Sequence, residues 1–296
     1  MKVLSRLECI IFALISASLS SVATLFKVQG VASVPPLLAA SVGVLFAGIL
    51  TLLYLALRKR LPSWQAIAHV RTPLLQLIFT RSVISNLLFT IGLSMTTGIK
   101  AVFLTKMEPY LVIFWVWMLD GKRPSSKHLS LLALHIVGAI LLSAGADLMI
   151  AKVEWGDLII LLAVVSAALS YRFVPKITKT LSATQTSALA ETAGGMLTLP
   201  LALVLCPINF GASEISGWGY IGVHALLFYV CAVPLLYASL HGIEGWLSSA
   251  LRAAGPLVAL PIAWFAFGER LTAVQMLGAL IVLVTSALIS RAERSK

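Results

Sequence analysis

The sequence predicts an all-α membrane protein of ten transmembrane helices, arranged as two inverted five-helix repeats with both termini in the cytoplasm. Three observations carry that expectation. The chain is 59% hydrophobic and only 11% charged over 296 residues, with mean hydropathy +1.00, more apolar surface than a single water-soluble core could hide. Its apolar runs approach the 20 residues that an α-helix needs to cross about 30 Å of hydrocarbon. The same helical pattern also occurs twice, at a displacement of 147 to 150 residues. A β-barrel would instead show strands of about ten alternating residues, and open backbone has no partner in lipid.

Ten spans follow from the runs, roughly 7–26, 37–57, 74–93, 99–118, 128–147, 157–174, 185–206, 217–239, 245–266 and 272–290. The first follows Lys2 and Arg6 as a signal peptide would, yet its length and its match to the segment around Ser166 read as a retained span. Ser16, Leu19 and Ser20 fall on Ser166, Leu169 and Ser170 when the chain is displaced by 150. Displacement by 147 carries Gly98, Leu104, Pro109, Trp117, Gly121 and Arg123 onto Gly245, Leu251, Pro256, Trp264, Gly268 and Arg270 without a gap. Leu and Ala match by chance easily; Pro, Trp, Gly and Arg in one register do not. The repeats therefore occupy 1–147 and 157–296, joined by an outer loop at 148–156. Five helices per copy bring the second copy into the membrane from the opposite face, which makes the repeats inverted.

Charge fixes the orientation. The formal net charge of +11 resembles that of a nucleic-acid-binding protein, but its placement speaks for a membrane and against nucleic acid. With a cytoplasmic N-terminus the inner face receives Lys2, Arg6, Arg58, Lys59, Arg60, Arg71, Lys122, Arg123, Lys127, Arg172, Lys176, Lys179, Arg291, Arg294 and Lys296, and the outer face only Lys27, Lys152 and Arg270. This is the positive-inside distribution. The segment from Arg58 to Thr72 reads as an amphipathic piece at the inner interface, and the tryptophans read mostly as interfacial anchors. Cys9, Cys206 and Cys231 have neither disulfide nor metal spacing, and neither a cofactor nor a metal is expected.

Charges at membrane depth are costly and mark function unless they are paired. Lys106 and Glu108 lie in the fourth span, Arg252 in the ninth, Arg81 and Asn86 in the third and Glu191 in the seventh. Lys106 and Glu108, two apart, point to different sides of a helix, so at least one needs a partner from elsewhere. Lys106 and Arg252 lie in nearly equivalent register, each roughly 10 Å from its own membrane edge, where two cations would frame an anionic or zwitterionic ligand. Pro109 and Pro256 each free a carbonyl, that of Thr105 and that of Arg252, beside those cations. Tyr110, one turn from Lys106, is expected in the pocket wall. Arg81 and Glu191 read as a structural ion pair, and Glu108 could equally serve as the partner of Arg252. The stripe of Ser16, Ser20 and Thr24, mirrored by Ser166 and Ser170, marks either tight helix packing or the edge of the cavity.

The stretch from Ser248 through Ala250-Leu251-Arg252-Ala253-Ala254-Gly255-Pro256 to Trp264 and Gly268-Glu269-Arg270-Leu271, followed by Gly278 in an apolar helix, resembles the EamA family of the drug/metabolite transporter superfamily. In the first half Glu108-Pro109 keeps the proline, while Gly121-Lys122 stands where Gly-Glu is expected. The resemblance implies a ten-helix secondary transporter of small polar metabolites, such as amino acids or organic anions, working in the cell membrane as an exporter or exchanger by alternating access. The alternatives are a non-transporting scaffold or subunit of a membrane complex and, less favoured, an intramembrane enzyme. No Gly-x-Ser-x-Gly, His-Glu-x-x-His or paired intramembrane Asp supports the last. The topology is open to test: single cysteines replacing Ser63 and Ser295 in a cysteine-free background are expected to be shielded from an impermeant thiol reagent in intact cells. Labelling of both from outside overturns the orientation.

Overall fold

The computed structural model describes residues 4–96, 101, 104–105, 107–121, 125–144, 154–206, 211–252, 254–255 and 272–292, all of whose regular structure is helical. Local sequence sets where the helices begin. α1 (Arg6–Val31) starts at Ser5, whose side chain caps the Glu8 N–H while the Glu8 carboxylate takes the Ser5 N–H, a reciprocal capping box. α2 (Pro36–Leu57) begins on a proline that needs no donor there. A short helix, Trp64–His69, capped by Ser63, precedes α3, which runs Arg71–Leu77, then as a π-helix over Ile78–Ser85, then Asn86–Ser94. α4 (Glu108–Asp120) ends at Gly121, whose φ of 67° is the left-handed conformation that glycine adopts freely.

α5 (Ser126–Ala144) and α6 (Trp155–Ser170) follow, the latter continued after a turn by Val174–Ile177. α7 (Ala183–Leu205) opens, like α1, on a serine capping box, at Ser182 and Gln185. α8 runs Ala212–Ala225, a π-helix Leu226–Ala232, then Val233–Ser239. α9 (Gly245–Arg252) and α10 (Ala273–Ala292) complete the described helices. α1, α2, α3, α6, α7 and α8 are long and apolar enough to cross a membrane. Their outer faces carry exposed Leu57, Leu162, Met196 and Val204, the surface of a protein solvated by lipid.

The two halves interlock with a two-fold pattern. α2 crosses α7 where Gly48 meets the backbone of Thr192 and Gly195 meets the backbone of Leu45. Displaced by 147 residues, Leu45 and Gly48 become Thr192 and Gly195. The pairing is thus reciprocal and antiparallel, as a two-fold axis through the crossing requires. α5 crosses α10 in the same manner: His135 Nδ1 lies 2.7 Å from Thr285 Oγ1 and Gly138 packs on Ile281 and Val282, and the displacement turns 135 and 138 into 282 and 285. α1 packs on α8 and α9 as α6 packs on α3 and α4. The π-helices obey the same register, since 79–85 displaced by 147 gives 226–232.

Those π-turns explain the serine stripes. Ser166 Oγ donates to the Thr80 carbonyl at 2.6 Å, and Ser16 Oγ donates to the Ala232 carbonyl at 2.8 Å. Each serine satisfies a carbonyl of the other half's π segment, where the regular i to i−4 ladder is interrupted.

Three sequence expectations need correction. α1 extends past residue 26 and buries Lys27 at 4% exposure, so Lys27 is an interior group and not an outer-face charge. Trp115 donates its indole N–H to the Val165 carbonyl at 3.0 Å and joins α4 to α6; Trp64 and Trp155, by contrast, are exposed. The fourth span is not one α-helix over 99–118, because Met107 forms a turn and α4 begins at Glu108.

A Cβ at Gly48 would collide with the Thr192 nitrogen, and one at Gly195 would stand 2.5 Å from the Leu45 Cβ. Backbone cannot yield cheaply there. Gly48→Ala and Gly195→Ala are each expected to lower stability by roughly 1–3 kcal/mol, whereas Gly219→Ala, with open space around it, should be neutral. Thermal unfolding of the purified variants in detergent checks this; equal melting temperatures for all three would show that the crossing is not tight.

Candidate functional site

The start of α4 and the end of α9 meet through oppositely charged side chains. Glu108 lies in the first turn of α4 and Arg252 in the last turn of α9, each at the helix end whose dipole favours its charge. Arg252 Nη1 lies 3.3 Å from Glu108 Oε2. The same nitrogen donates to the Tyr171 hydroxyl at 2.9 Å, and that hydroxyl donates onward to Glu108 Oε2 at 3.0 Å. Ser249 Oγ donates to the same carboxylate oxygen at 3.2 Å, and Arg252 Nη2 donates to Ser20 Oγ at 3.3 Å. The Arg252 and Glu108 side chains are 12% and 15% exposed, and Arg252 Nε is buried without a partner. Residues from α1, α4 and α9, with Tyr171 from the turn after α6, thus share one charged knot. Gly255 allows the end of α9 to lie against α1, since a Cβ there would meet Ser21 and the Ala17 carbonyl.

Glu108 and Arg252 are brought together; the other sequence candidates are distributed differently. Lys106 and Pro256 lie outside the described residues. Pro109 sits in the first turn of α4, where its missing N–H costs nothing, so it starts a helix and does not kink one. The Arg252 carbonyl accepts the Gly255 N–H at 3.1 Å and is not free, contrary to the sequence reading. Tyr110 packs with the apolar group of Cys9, Leu132, Ile243 and Leu247 and makes no hydrogen bond to the knot.

Asn86 belongs to a second polar group with Lys27 and Tyr229. Arg81 and Glu191 are not joined as an ion pair. Arg81 Nη1 reaches Ser170 Oγ at 3.5 Å, while Glu191 accepts from Ser187 Oγ at 2.8 Å and keeps Oε2 buried without a partner. Among the described residues no three His, Cys, Asp or Glu side chains gather as a metal set.

Sequence reasoning missed Tyr171, Ser249, Lys27, Tyr229 and the binding partner of Ser20. One signal was available: Ser16, Ser20, Ala23 and Lys27 recur at three- and four-residue steps, which puts the lysine on the serine face of α1.

The chemistry of the knot is that of a desolvated ion pair opened on one side. A buried pair roughly breaks even against apolar packing, while removing one partner strands the other at about 3–5 kcal/mol. The arrangement can therefore hold itself closed or exchange a partner for an anionic or cationic ligand group at modest net cost. Tyr171→Phe removes the hydroxyl that both charges share and should lower stability by roughly 1.5–3 kcal/mol. Arg172→Ala, losing the 2.7 Å but partly exposed pair with Asp120, should cost under about 1 kcal/mol. Equal melting temperatures for the two variants would deny the hydroxyl its bridging role.

Comparison with known proteins agrees with this architecture. The uncharacterized inner membrane transporter YedA of Escherichia coli strain K12 is 24% identical over 270 residues, which cover 88% of this chain and 83% of that protein. Its counterpart in strain O157:H7 matches to the same extent. A solved crystal structure, 14% identical in sequence, shares the fold with a TM-score of 0.78 over 98% of this chain and 99% of that one. The profile of the EamA-like transporter family matches twice, at residues 7–144 and again at 154–291, and the chain therefore belongs to that family.

Proposed function

We propose that this protein is a secondary transporter that moves a small anionic or zwitterionic metabolite across the cell membrane by alternating access, as an exporter or exchanger. The reading includes ten spans in two inverted repeats, 1–147 and 157–296, with both termini in the cytoplasm. The observation that carries it is the Glu108–Arg252 pair at the broken ends of two repeat-equivalent helices, the placement in which such folds bind their substrates. Membership of the EamA-like transporter family supports transport over catalysis, and the YedA relatives support an inner-membrane location where the cell has two membranes.

A gate is supported at one end of the bundle. There α1 meets α8 and α3 meets α6 through glycines, a Gly30 Cβ falling 3.2 Å from the Gly217 carbonyl and a Gly92 Cβ 2.9 Å from the Gly156 carbonyl. The backbones approach closely there with the Ile221 and Ile160 side chains packed onto the glycines, contacts across which helices can separate as rigid bodies. A scaffold has no evident use for such a seam together with a charged knot.

Arg252 is proposed to bind the anionic group of the substrate, with Glu108 holding the guanidinium when the site is empty. A thermal-shift screen of amino acids, organic anions and nucleotide derivatives should identify a stabilising compound, and uptake of that compound into proteoliposomes is the functional assay. Arg252→Gln should abolish its transport, and Arg252→Lys should restore it only in part, because an ammonium cannot make a bidentate contact. If Arg252 serves only to neutralise Glu108, the double variant Arg252→Gln with Glu108→Gln should recover transport. That recovery overturns the ligand-contact role.

A further inference from the structure

The second polar group, on the same face of α1, has the character of a ligand subsite. Lys27 lies seven residues, about 10 Å, beyond Ser20 along the helix. It is 4% exposed, and among the described residues its Nζ has one polar partner, Asn86 Oδ1 at 3.4 Å, with the Phe89 ring centroid 5.3 Å away. No carboxylate of the described residues pairs with it. Asn86 is already committed: its amide donates to the Ala40 carbonyl at 3.0 Å and its oxygen also accepts from the Tyr229 hydroxyl at 2.7 Å. The buried ammonium therefore keeps donors in hand and no neutralising charge.

His224 completes the group. Its Nδ1 lies 3.0 Å from the carbonyl of Ala23, one helical turn before Lys27, and its ring packs against Phe228 and Tyr229 at 5.2 and 5.5 Å. A carbonyl only accepts, so Nδ1 carries the hydrogen, and in the neutral ring Nε2 is a bare acceptor. That Nε2 is buried without a partner among the described residues. A cation with free donors and an imidazole with a free acceptor are thus linked through Asn86 and Tyr229, with the Phe89 ring beside the lysine and the Phe228 ring stacked on the histidine.

We propose that Lys27 and His224, positioned by Asn86 and Tyr229, form a second ligand subsite that takes a small 2-hydroxy or 2-amino carboxylic acid. The carboxylate neutralises the Lys27 ammonium, and the hydroxyl or amino group on the adjacent carbon donates to His224 Nε2. A plain carboxylate fills only the first half of this pattern. The use of this subsite as a station for transported substrate rests on the transport reading above; its ability to bind does not.

The test uses the purified full-length chain in detergent, with L-lactate and L-alanine as probes, propionate as the analogue lacking the donor, and sodium chloride at equal ionic strength as the reference. At least one of the two probes should raise the melting temperature by a few degrees in a saturable way, with propionate weaker. Lys27→Met should weaken half-saturation about tenfold or more, and His224→Phe should erase the preference over propionate. If Lys27→Met does not yield a monodisperse protein, His224→Phe decides the matter by the same criterion. The proposal is overturned if neither probe stabilises the wild type, if Lys27→Met responds as the wild type does, or if Arg252→Gln alone removes the response, which would assign the acid to the Arg252 site.

Discussion

Lipid offers no hydrogen bonds, so every polar group inside this bundle must find its partner within the protein. The serines of α1 and α6 meet that constraint twice over. Ser16 and Ser166 each take a carbonyl of the other half's π segment. One turn on, Ser20 and Ser170 each accept from an arginine, Arg252 and Arg81. Four small side chains thereby tie the repeats together and hold both guanidiniums inside. The π segments are what make this necessary, for a regular helix would have kept its carbonyls to itself.

The central ion pair is suited to its place because it is not strongly stabilising. A desolvated arginine and carboxylate in good geometry roughly repay their own dehydration and little more. Glu108 draws on Tyr171, Ser249 and Arg252 together, so the carboxylate would keep the first two partners if the guanidinium moved away. The turn at Met107 before α4 and the turn at Ala254–Gly255 after α9 contribute in the same direction, since they leave helix ends of opposite dipole sign at the two charges.

Much of the scaffold was legible in the sequence. Period, length and repetition identify the long helices, and matching Pro, Trp, Gly and Arg identify the duplication, because these are physical requirements imposed on single positions. The site was legible in part. Glu108 and Arg252 stood out as charges in apolar runs, whereas Tyr171 did not, since a tyrosine at the end of a span reads as an interfacial anchor until its hydroxyl is placed between two charges. Lys27 was misread for a different reason: a span boundary drawn at the first charge removes that charge from the membrane by construction, and a helix continuing to Val31 returns it. The π segments have no clear signature in local propensity, as they arise from packing between the repeats.

The two-fold relation organises the scaffold and stops at the chemistry. Glycines, serines and π-turns recur in both halves, but the interior charges have neutral mates. Displacement by 147 carries Glu108 onto Gly255, Arg81 onto Phe228 and Arg252 back onto Thr105, and displacement by 150 carries Lys27 onto Ile177. A symmetric frame can rock about its axis with equivalent contacts made and broken on either side. Charges duplicated with it would present the same groups to a ligand from both halves. With no duplicates, the Glu108–Arg252 knot meets α1 at Ser20 and the Lys27 ammonium stands about two turns further along the same helix, so the two proposed binding groups differ in chemistry and in position while the frame around them is built of paired contacts.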